Sequence, residues 1–208
     1  MGHGIDAALF SQPSGENDPP EVLMVGRLAH IKRQDWLLRA AARVMASHTA
    51  GPFRVVIAGG PVEGEPEFPP ELEHLARTLD PAPPVTFTGP LPHAEVAATL
   101  RGCAVAVNLS PPGLSDKAAL EAMLAGRPTL VTNSDFLPLL GDSADLLYVP
   151  ENAGDGALAD RLARLLALTP AERMALGAQL RERALAAHSL DGLMDRLAAL
   201  MREVMAHG

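Results

Sequence analysis

A short apolar run that leads through a proline- and glycine-containing loop into an apolar helix is the most restrictive feature of this sequence. The run Cys103–Leu109 predicts a buried strand. Two prolines and Gly113 follow and predict a loop, after which Ser115 is a candidate N-cap for a helix over Asp116–Ala125. Gly126, with a proline two residues later, would end that helix. A strand, a loop and a helix N-terminus in this order form a natural anion site, because unpaired backbone N–H groups and the helix dipole point at the loop.

A single carboxylate, Glu121, interrupts the otherwise apolar helix. Its neighbours are mostly alanine, leucine and methionine, which predict that the helix is buried. A buried carboxylate needs a partner or several hydrogen bonds, and no residue nearby in the sequence obviously supplies one. A bound ligand with hydroxyl groups would satisfy Glu121, although the side chain could also reach water or pair with Lys117 or Arg127.

The rest of the chain repeats the alternation of strand and helix at intervals of about 30 residues, which predicts parallel βαβ units. We therefore predict an α/β fold with a doubly wound parallel sheet of about six strands. Residues 1–20 are polar and rich in glycine and proline and predict a linker, residues 21–190 the α/β domain, and residues 191–208 a C-terminal helix. The predicted strands are Glu21–Val25, Phe53–Ala58, Val85–Phe87, Ala104–Leu109, Thr129–Thr132 and Leu146–Val149. The other predicted helices are Gln34–Ser47, Pro70–Leu79, Pro92–Arg101, Gly154–Leu166, Pro170–Ala187 and Leu190–Met205.

Composition argues against several classes of partner. The formal net charge is −8, from 17 Lys and Arg against 25 Asp and Glu, and no basic block occurs, so we expect no nucleic-acid partner. No apolar run is long enough to span a bilayer. The one cysteine, Cys103, excludes an internal disulfide and lies in a predicted strand, where an inert buried thiol is expected. The seven histidines are scattered without metal-ligand spacing, so we expect no metal.

Loops that leave the carboxyl ends of parallel strands gather at one edge of the sheet, which is where ligands bind in such folds. The loops at this edge carry several glycines, the cations Arg27 and Lys32, and Glu121 close by. Cations bind phosphate oxygens, glycines allow close backbone approach, and a carboxylate accepts hydrogen bonds from sugar hydroxyls. The residues therefore predict a site for a nucleotide or another phosphorylated, hydroxyl-rich ligand.

Five motifs occur in order along almost the whole chain. They are G-H-G-I-D-A-A-L-F (2–10), V-G-R-L-A-H-I-K-R-Q-D-W-L-L-R-A-A (25–41), I-A-G-G-P (57–61), V-T-F-T-G-P-L (85–91) and L-E-A-M-L-A-G-R-P (120–128). Each motif is weak alone, but together they resemble the C-terminal, nucleotide-sugar-binding domain of retaining glycosyltransferases of the GT-B fold, in the large family four group. The resemblance implies a Rossmann-like half of a GT-B fold, and an enzyme that transfers a sugar from a UDP- or GDP-sugar without a metal or cofactor.

The resemblance also implies a role for each matching residue. Arg27 and Lys32 would be the catalytic groups, because they would hold the donor diphosphate and stabilise the charge that builds on the leaving nucleoside diphosphate. Glu121 would accept hydrogen bonds from the ribose hydroxyls, and backbone around Phe87 would meet the base. The rest of the implied donor site consists of loop glycines and residues at the start of the central helix, namely Gly26, Gly59, Gly113, Leu114, Ser115 and Asp116.

Two departures from the family pattern bear on function. The family usually carries a glutamate eight positions before Glu121, where this chain has Gly113, so contact with the donor sugar would be altered or supplied by Asp116. The N-terminal domain that would supply the acceptor site is missing, so we expect an excised piece or a fragment. Transfer by this chain alone is not expected, because both reactants must be held between two domains.

The expected partners are the nucleotide-sugar donor and the missing N-terminal acceptor domain. The helix Leu190–Met205 would cross back to that domain in full-length relatives, and its apolar face could otherwise drive formation of a homodimer. The resemblance implies a cytoplasmic protein, with peripheral membrane association of the full-length enzyme.

Simpler interpretations of the same residues stay open. Arg27 and Lys32 could be ordinary solvated cations, Asp116 a first-turn helix charge and Ser115 only a cap. At the level of function, one alternative is a module that binds nucleotides without transfer, with Gly113 marking a lost sugar site. The other alternative is half of a GT-B sugar-nucleotide epimerase.

Overall fold

A computed structural model of the chain describes residues 5, 7–10, 15–114 and 116–188, together with residues 192, 194, 198, 201 and 202. The strands of this part are β1 (Glu21–Val25), β2 (Arg54–Ala58), β3 (Val85–Gly89), β4 (Val105–Asn108) and β5 (Thr129–Val131). Its α-helices are α1 (Gln34–Ser47), α2 (Phe68–Thr78), α3 (His93–Gly102), α4 (Lys117–Leu124), α5 (Leu137–Leu140), α6 (Ala144–Leu147), α7 (Gly154–Ala167) and α8 (Pro170–His188). Short 3-10 helices lie at Ala7–Phe10, His30–Lys32, Ser134–Phe136 and Gly141–Ser143.

The five strands pair in parallel in the order β3-β2-β1-β4-β5. The chain moves outwards from β1 through β2 to β3, and then returns to the other side of β1 to add β4 and β5. The order therefore reverses between β1 and β4, where Val22 pairs with Val105 and Leu23 with Ala106. Such a reversal opens a crevice at the carboxyl ends of the two strands, which is where ligands bind in open parallel sheets.

Helices cover both faces of the sheet, so successive residues of the central strands are apolar and buried. Val22, Leu23 and Met24 of β1 are all buried, as are Val55 and Ile57 of β2. One group of helices consists of α1, which packs against α7 and contacts α2. The other group consists of α3, α4 and α8, with the 3-10 helix Ala7–Phe10 packed against α3 and α4. The predicted fold class, a doubly wound α/β sheet, is confirmed.

The described part of the sheet has five strands, where the sequence predicted about six. The prediction of a strand at Leu146–Val149 is wrong, because Ala144–Leu147 form α6 and Tyr148 makes only an isolated bridge to Val131. A short apolar run fits a strand or a buried helix equally well, so the pattern alone could not separate them.

The segment predicted as a linker contacts the domain at several of its described residues. Phe10 is buried, and the N–H of Asn17 donates to the carbonyl of Gly102 at 2.9 Å. Glu16 forms an ion pair with Arg173 of α8 at 2.6 Å, and both side chains are almost fully buried. The predicted helix Leu190–Met205, which fills the proposed 191–208 unit, lies mainly outside the described residues and stays a prediction.

A close approach of α8 to the turn after α4, and a buried thiol, are two further features of the interior. A β-carbon at Gly177 of α8 would lie 1.9 Å from the carbonyl oxygen of Gly126, so α8 and the turn after α4 can meet only at a glycine. The Cys103 side chain is fully buried, and this burial raises the pKa of its thiol to about 12. The predicted burial of Cys103 is therefore confirmed.

Candidate functional site

The loops after β1 and β2 meet backbone to backbone at the carboxyl edge of the sheet. The N–H of Gly26 donates to the carbonyl of Ala58 at 2.9 Å, and the N–H of Leu28 donates to that of Gly60 at 2.8 Å. A β-carbon at Gly59 would lie 1.9 Å from the carbonyl oxygen of Gly26. The close approach of the loops therefore requires glycine at position 59, and the predicted site residues Gly26 and Gly59 lie side by side.

A side-chain contact also links these two loops. The backbone N–H of His30 donates to Glu65 at 2.7 Å, and the His30 ring pairs with the same carboxylate oxygen at 2.6 Å. The hydrogen bond from the His30 backbone lowers the pKa of Glu65, and the bond to the His30 ring lowers it further by a smaller amount. Both side chains are partly exposed, and their contact joins the two loops at the protein surface.

Gln34, the first residue of α1, holds the backbone of Arg27. The Gln34 side chain is buried, and its Nε2 donates to the Arg27 carbonyl at 2.9 Å. The Arg27 side chain is exposed and makes no ion pair with any residue that the structure describes. The loop is thus fixed while the guanidinium remains in solvent.

Lys32 joins the loop after β1 to the start of α4. Its Nζ donates to Ser110 Oγ at 3.0 Å and to Asp116 Oδ2 at 2.5 Å. The Lys32 side chain is 18% exposed and that of Asp116 is 10% exposed, so the ion pair is shielded from most of the solvent. The contact bridges β1 and β4, the two strands between which the sheet order reverses.

Asp116 is anchored through both carboxylate oxygens. Oδ2 accepts from Ser110 Oγ at 2.5 Å as well as from Lys32, and Oδ1 accepts from the N–H of Ala118 at 3.1 Å. Burial alone would raise the pKa of Asp116, but the hydrogen bonds from Lys32, Ser110 and Asn108 outweigh it and hold this pKa below its ordinary value. The carboxyl group is therefore ionised at neutral pH.

Asp116 is also the N-cap of α4, because its side chain accepts from the N–H of Ala118 in the first turn. The prediction that Ser115 caps a helix beginning at Asp116 is wrong by one residue. Serine and aspartate are both favourable caps, so composition did not decide between adjacent positions. Ser115 itself lies outside the described residues, and its implied contact with the donor stays a prediction.

The loop after β4 is tied to the loop after β5. Gly113 has a left-handed backbone with φ +82°, and its N–H donates to Asp135 Oδ2 at 3.2 Å. The carbonyl of Leu114 accepts from Asn133 Nδ2 at 3.0 Å. The resemblance implies that Gly113 belongs to the donor site. Its N–H is instead bound by a carboxylate of the same chain.

Arg33 forms an unusual turn directly after Lys32. Its backbone is left-handed, with φ 57° and ψ 40°, a conformation that is uncommon for a residue with a side chain. The guanidinium pairs with Glu151 and lies over the Trp36 ring, 4.8 Å from its centroid. These contacts stabilise the turn at Arg33, which directly follows Lys32 in the loop.

Glu121 has a partner that its sequence neighbourhood did not reveal. The side chain is 14% exposed, and Oε1 lies 3.1 Å from Nε2 of His93, the first residue of α3. The partner is 28 residues away in the sequence, and it is neither Lys117 nor Arg127, the two residues that the sequence offered. The pairing also places Glu121 toward the start of α3, which lies at the same edge of the sheet as the loop after β3.

Phe87 occupies a different environment from the charged residues. It lies on β3, an edge strand, and its half-buried side chain lines a shallow hollow with Ala76 and Arg77 of α2. Among the described residues, the side-chain partners of Lys32 are Ser110 and Asp116, and Phe87 is not one of them. Its implied contact with a base, which concerned the backbone of β3, stays a prediction.

The structure brings part of the predicted site together and leaves part apart. Lys32 and Asp116 are in direct contact, and Gly26 and Gly59 are neighbours. Gly113 and Leu114 are bound to the loop after β5, while Glu121 pairs with His93. Apart from Glu121, which lies in the middle of α4, these groups lie on loops or helix starts at the carboxyl edge of the sheet.

Sequence reasoning missed four residues that organise this edge. Ser110 and Asn108 support Asp116, Gln34 holds the Arg27 backbone, and His93 meets Glu121. Ser110 and Asn108 could have been found, because polar residues at the end of an apolar strand stand out at a ligand-binding edge. His93 could not, because its contact depends on how α3 packs beside α4.

The described residues offer neither a membrane span nor a metal site. No helix there combines the length and the apolar character needed to cross a membrane. No group of three or more His, Cys, Asp and Glu side chains in that part of the chain is arranged to hold a metal ion.

A family model described as "Glycosyl transferases group 1" matches residues 19–168. Among curated proteins, the D-inositol 3-phosphate glycosyltransferase of Rhodococcus opacus is 32% identical over 188 residues, which cover 86% of this chain and 41% of that protein. The protein of the same name from Corynebacterium kroppenstedtii is 32% identical over 121 residues, covering 58% of this chain and 27% of that protein. The chain thus spans less than half of the length of these relatives.

Solved structures show the same fold. Sucrose-phosphate synthase from Thermosynechococcus elongatus superposes with a TM-score of 0.81 and 25% identity, over 99% of this chain and 52% of that one. Anabaena HepE in complex with UDP and glucose superposes with a TM-score of 0.78 and 16% identity, over 96% and 55%. The C-terminal domain of a glycosyl transferase group 1 family protein from Francisella tularensis superposes with a TM-score of 0.76 and 16% identity, over 90% and 100%.

Proposed function

Because this chain belongs to the glycosyl transferases group 1 family, we propose that it is the donor-binding half of a retaining glycosyltransferase that uses a UDP- or GDP-sugar. The observation that carries the proposal is the position of Lys32, whose ammonium group meets Ser110 and Asp116 where the strand order reverses. A cation at this crevice, beside a helix start, suits the diphosphate of a nucleotide sugar.

In this proposal, Arg27 and Lys32 bind the diphosphate and stabilise its charge during transfer. When the bond between the sugar and the diphosphate breaks, the bonding electrons go to the leaving phosphate oxygen. Two cations beside that oxygen lower the barrier without a metal, because their positive charges stabilise the negative charge as it develops. Arg27 has a solvent-exposed guanidinium on a loop held by Gln34, so it can reach a ligand in the crevice without a large backbone movement.

Glu121 serves the nucleoside in this proposal. His93 contacts Oε1, so Oε2 can still accept a hydrogen bond from a ribose hydroxyl. The His93 contact also restricts the rotamers of the carboxylate, which lowers the entropy that a ligand must remove on binding. Backbone of β3 near Phe87 would then face the base.

UDP is the first nucleotide to examine, because HepE was crystallised with UDP and glucose and shares the fold of this chain at 16% identity. The D-inositol 3-phosphate glycosyltransferases are transferases by name, and they match this chain over only part of their length. The acceptor site, the acceptor and the second domain therefore remain parts of the proposal for the longer protein.

Titration calorimetry tests the proposal with UDP, GDP and ADP. We expect one of them to bind, and the Arg27→Met variant to bind it about tenfold more weakly because one charge-assisted contact is lost. Arg164→Met is the matched control, since Arg164 lies exposed on α7 and its loss should leave the affinity unchanged. Absence of binding by all three nucleotides at millimolar concentration would contradict the proposal.

One observation favours a second candidate, a nucleotide-binding module without transfer. Where the family usually has a glutamate, this chain has Gly113, and its N–H is already bound by Asp135. A lost sugar contact predicts that UDP-glucose and GDP-mannose bind no more tightly than the bare nucleoside diphosphates. A clear gain in affinity from either sugar would favour the donor-binding function over this alternative.

A further inference from the structure

We propose that Asp116 and Asp135 are internal competitors of the anionic ligand, occupying in the free protein the groups that its phosphates would use. Asp116 holds the ammonium of Lys32, and Asp135 holds the N–H of Gly113. A bound phosphate must displace or share these carboxylates. The identity of the ligand rests on the proposed function, whereas the competition itself can be measured with any small polyphosphate.

Asp116 is well suited to occupy Lys32 in the absence of ligand. Its Oδ2 lies 2.5 Å from Nζ and also accepts from Ser110 Oγ, while Oδ1 caps α4. The Asp116 side chain is only 10% exposed and that of Lys32 only 18%, so water screens the ion pair weakly. The ammonium therefore attracts an incoming anion less than a free lysine would.

Asp135 is held in a comparable position by different contacts. Asn133 caps the 3-10 helix Ser134–Phe136, because its Oδ1 accepts from the N–H of Asp135 at 2.8 Å. This anchor directs the Asp135 carboxylate at Gly113, with an N–O distance of 3.2 Å. Asp135 is exposed and its bond is longer than the Lys32–Asp116 contact, so its competition should be the weaker of the two.

The cations proposed to meet the phosphates are outnumbered by carboxylates in the free protein. Arg27 and Lys32 contribute two positive charges and Asp116 and Asp135 two negative ones, while Glu65 and Glu121 add two further carboxylates at the same edge and Lys117 one further cation. The neighbouring Arg33 is already paired with Glu151. With a net charge of −8 on the whole chain, no long-range field draws an anion to the crevice. Entry of a diphosphate therefore depends on moving a carboxylate away from its partner.

Inorganic pyrophosphate is the direct probe, because it lacks a nucleoside. We expect Asp116→Asn to bind pyrophosphate about tenfold more tightly than the wild type, since it removes one negative charge beside Lys32 and keeps the helix cap. Asp135→Asn should tighten binding about twofold, in line with its exposure. Asp160→Asn is the control, because it makes the same change in net charge at an exposed position on α7.

If Asp116→Asn does not fold, a second variant, Asp116→Ser, makes the same test. Asp116→Ser also removes the charge and also provides a good cap, so it should tighten pyrophosphate binding to a similar degree. Thermal melts followed by circular dichroism establish that each variant is folded. Unchanged or weaker binding in the folded Asp116 variants would overturn the competition, as would the absence of pyrophosphate binding in every variant.

The same titrations separate this inference from the proposed function. If UDP, GDP and ADP fail to bind but Asp116→Asn still tightens pyrophosphate binding, the competition stands and the nucleotide assignment falls. If a nucleotide binds the wild type and removal of Asp116 does not strengthen its binding or that of pyrophosphate, the assignment stands and the competition falls.

Discussion

Two sides of the same sheet edge differ in how far the protein's own side chains close them. Between β1 and β4, Lys32 and Asp116 are shielded from solvent and joined by a short ion pair. Toward β3, Glu121 meets His93, whose side chain is 61% exposed, and Phe87 lies half-buried on an edge strand.

Affinity for the phosphates and discrimination between nucleosides are separate properties, and the two sides contribute to them differently. On the β1–β4 side, carboxylates already hold Lys32 and the N–H of Gly113, while Arg27 makes no ion pair with the described residues. On the β3 side, the groups proposed to meet a ligand are the Glu121 carboxylate and the backbone of β3. We therefore expect affinity to come from the β1–β4 side and discrimination between nucleosides from the β3 side.

The largest expected effect comes from removing the cation of the closed side. Lys32→Met should weaken UDP binding about a hundredfold, because it removes a charge-assisted contact and leaves the Asp116 carboxylate facing the phosphates. The double variant Lys32→Met/Asp116→Asn should recover about tenfold of this loss, because the repelling charge is gone. Calorimetry on folded variants measures both, and a double variant no better than the single one would break the comparison.

A smaller effect is expected on the open side. Glu121→Gln should weaken UDP binding about fivefold and leave pyrophosphate binding unchanged, because a ribose contact involves only the nucleoside. His93→Gln is the matched control, since it removes the protein partner of Glu121 but keeps the carboxylate. Equal losses for UDP and pyrophosphate in Glu121→Gln would show that the two sides are not separate.

The Lys32–Asp116 pair also predicts a pH dependence of stability. Because the pKa of Asp116 is lower when folded than when unfolded, the stability it adds is present above the unfolded value and is lost as the pH falls through the folded one. The wild type should therefore melt a few degrees above Asp116→Asn at about pH 6, and the gap should close toward about pH 3. If the difference in melting temperature stays constant across this pH range, ionisation of Asp116 does not cause it.

The smallest effect on binding is expected at Phe87. Phe87→Ala should keep UDP affinity within about twofold, because the implied contact with the base comes from the backbone of β3. It should lower the free energy of unfolding by about 1 kcal/mol, since a half-buried ring is lost from the edge strand. A tenfold loss of UDP affinity would instead place the ring itself against the ligand.

The charged centre of this edge could be predicted because strand order and spacing constrain it. Parallel strands end at one edge, so Lys32 after β1 and Asp116 after β4 had to lie near each other. That Asp116 would hold Lys32 did not follow, because sequence spacing does not fix a side-chain rotamer. The pairing of Glu121 with His93 was hidden for a related reason, since it depends on the packing of α3 beside α4.

The wrong predictions also have physical causes. Leu146–Val149 is apolar because it is buried, and burial alone does not choose between a strand and the helix α6 that forms. The division of the chain into a linker, an α/β domain and a C-terminal helix stays a prediction, but the burial of Phe10 and the shielded ion pair of Glu16 with Arg173 were not foreseen. Long-range contacts of this kind leave no periodic signal in the local sequence.

The contact between Gly59 and the carbonyl oxygen of Gly26 limits how this domain can be re-engineered. A β-carbon at position 59 would overlap that oxygen, so a saturation library at this position should return only glycine among folded clones. Efforts to change ligand preference would do better to randomise the exposed neighbours of the β1–β2 junction, where new side chains have room to point outward.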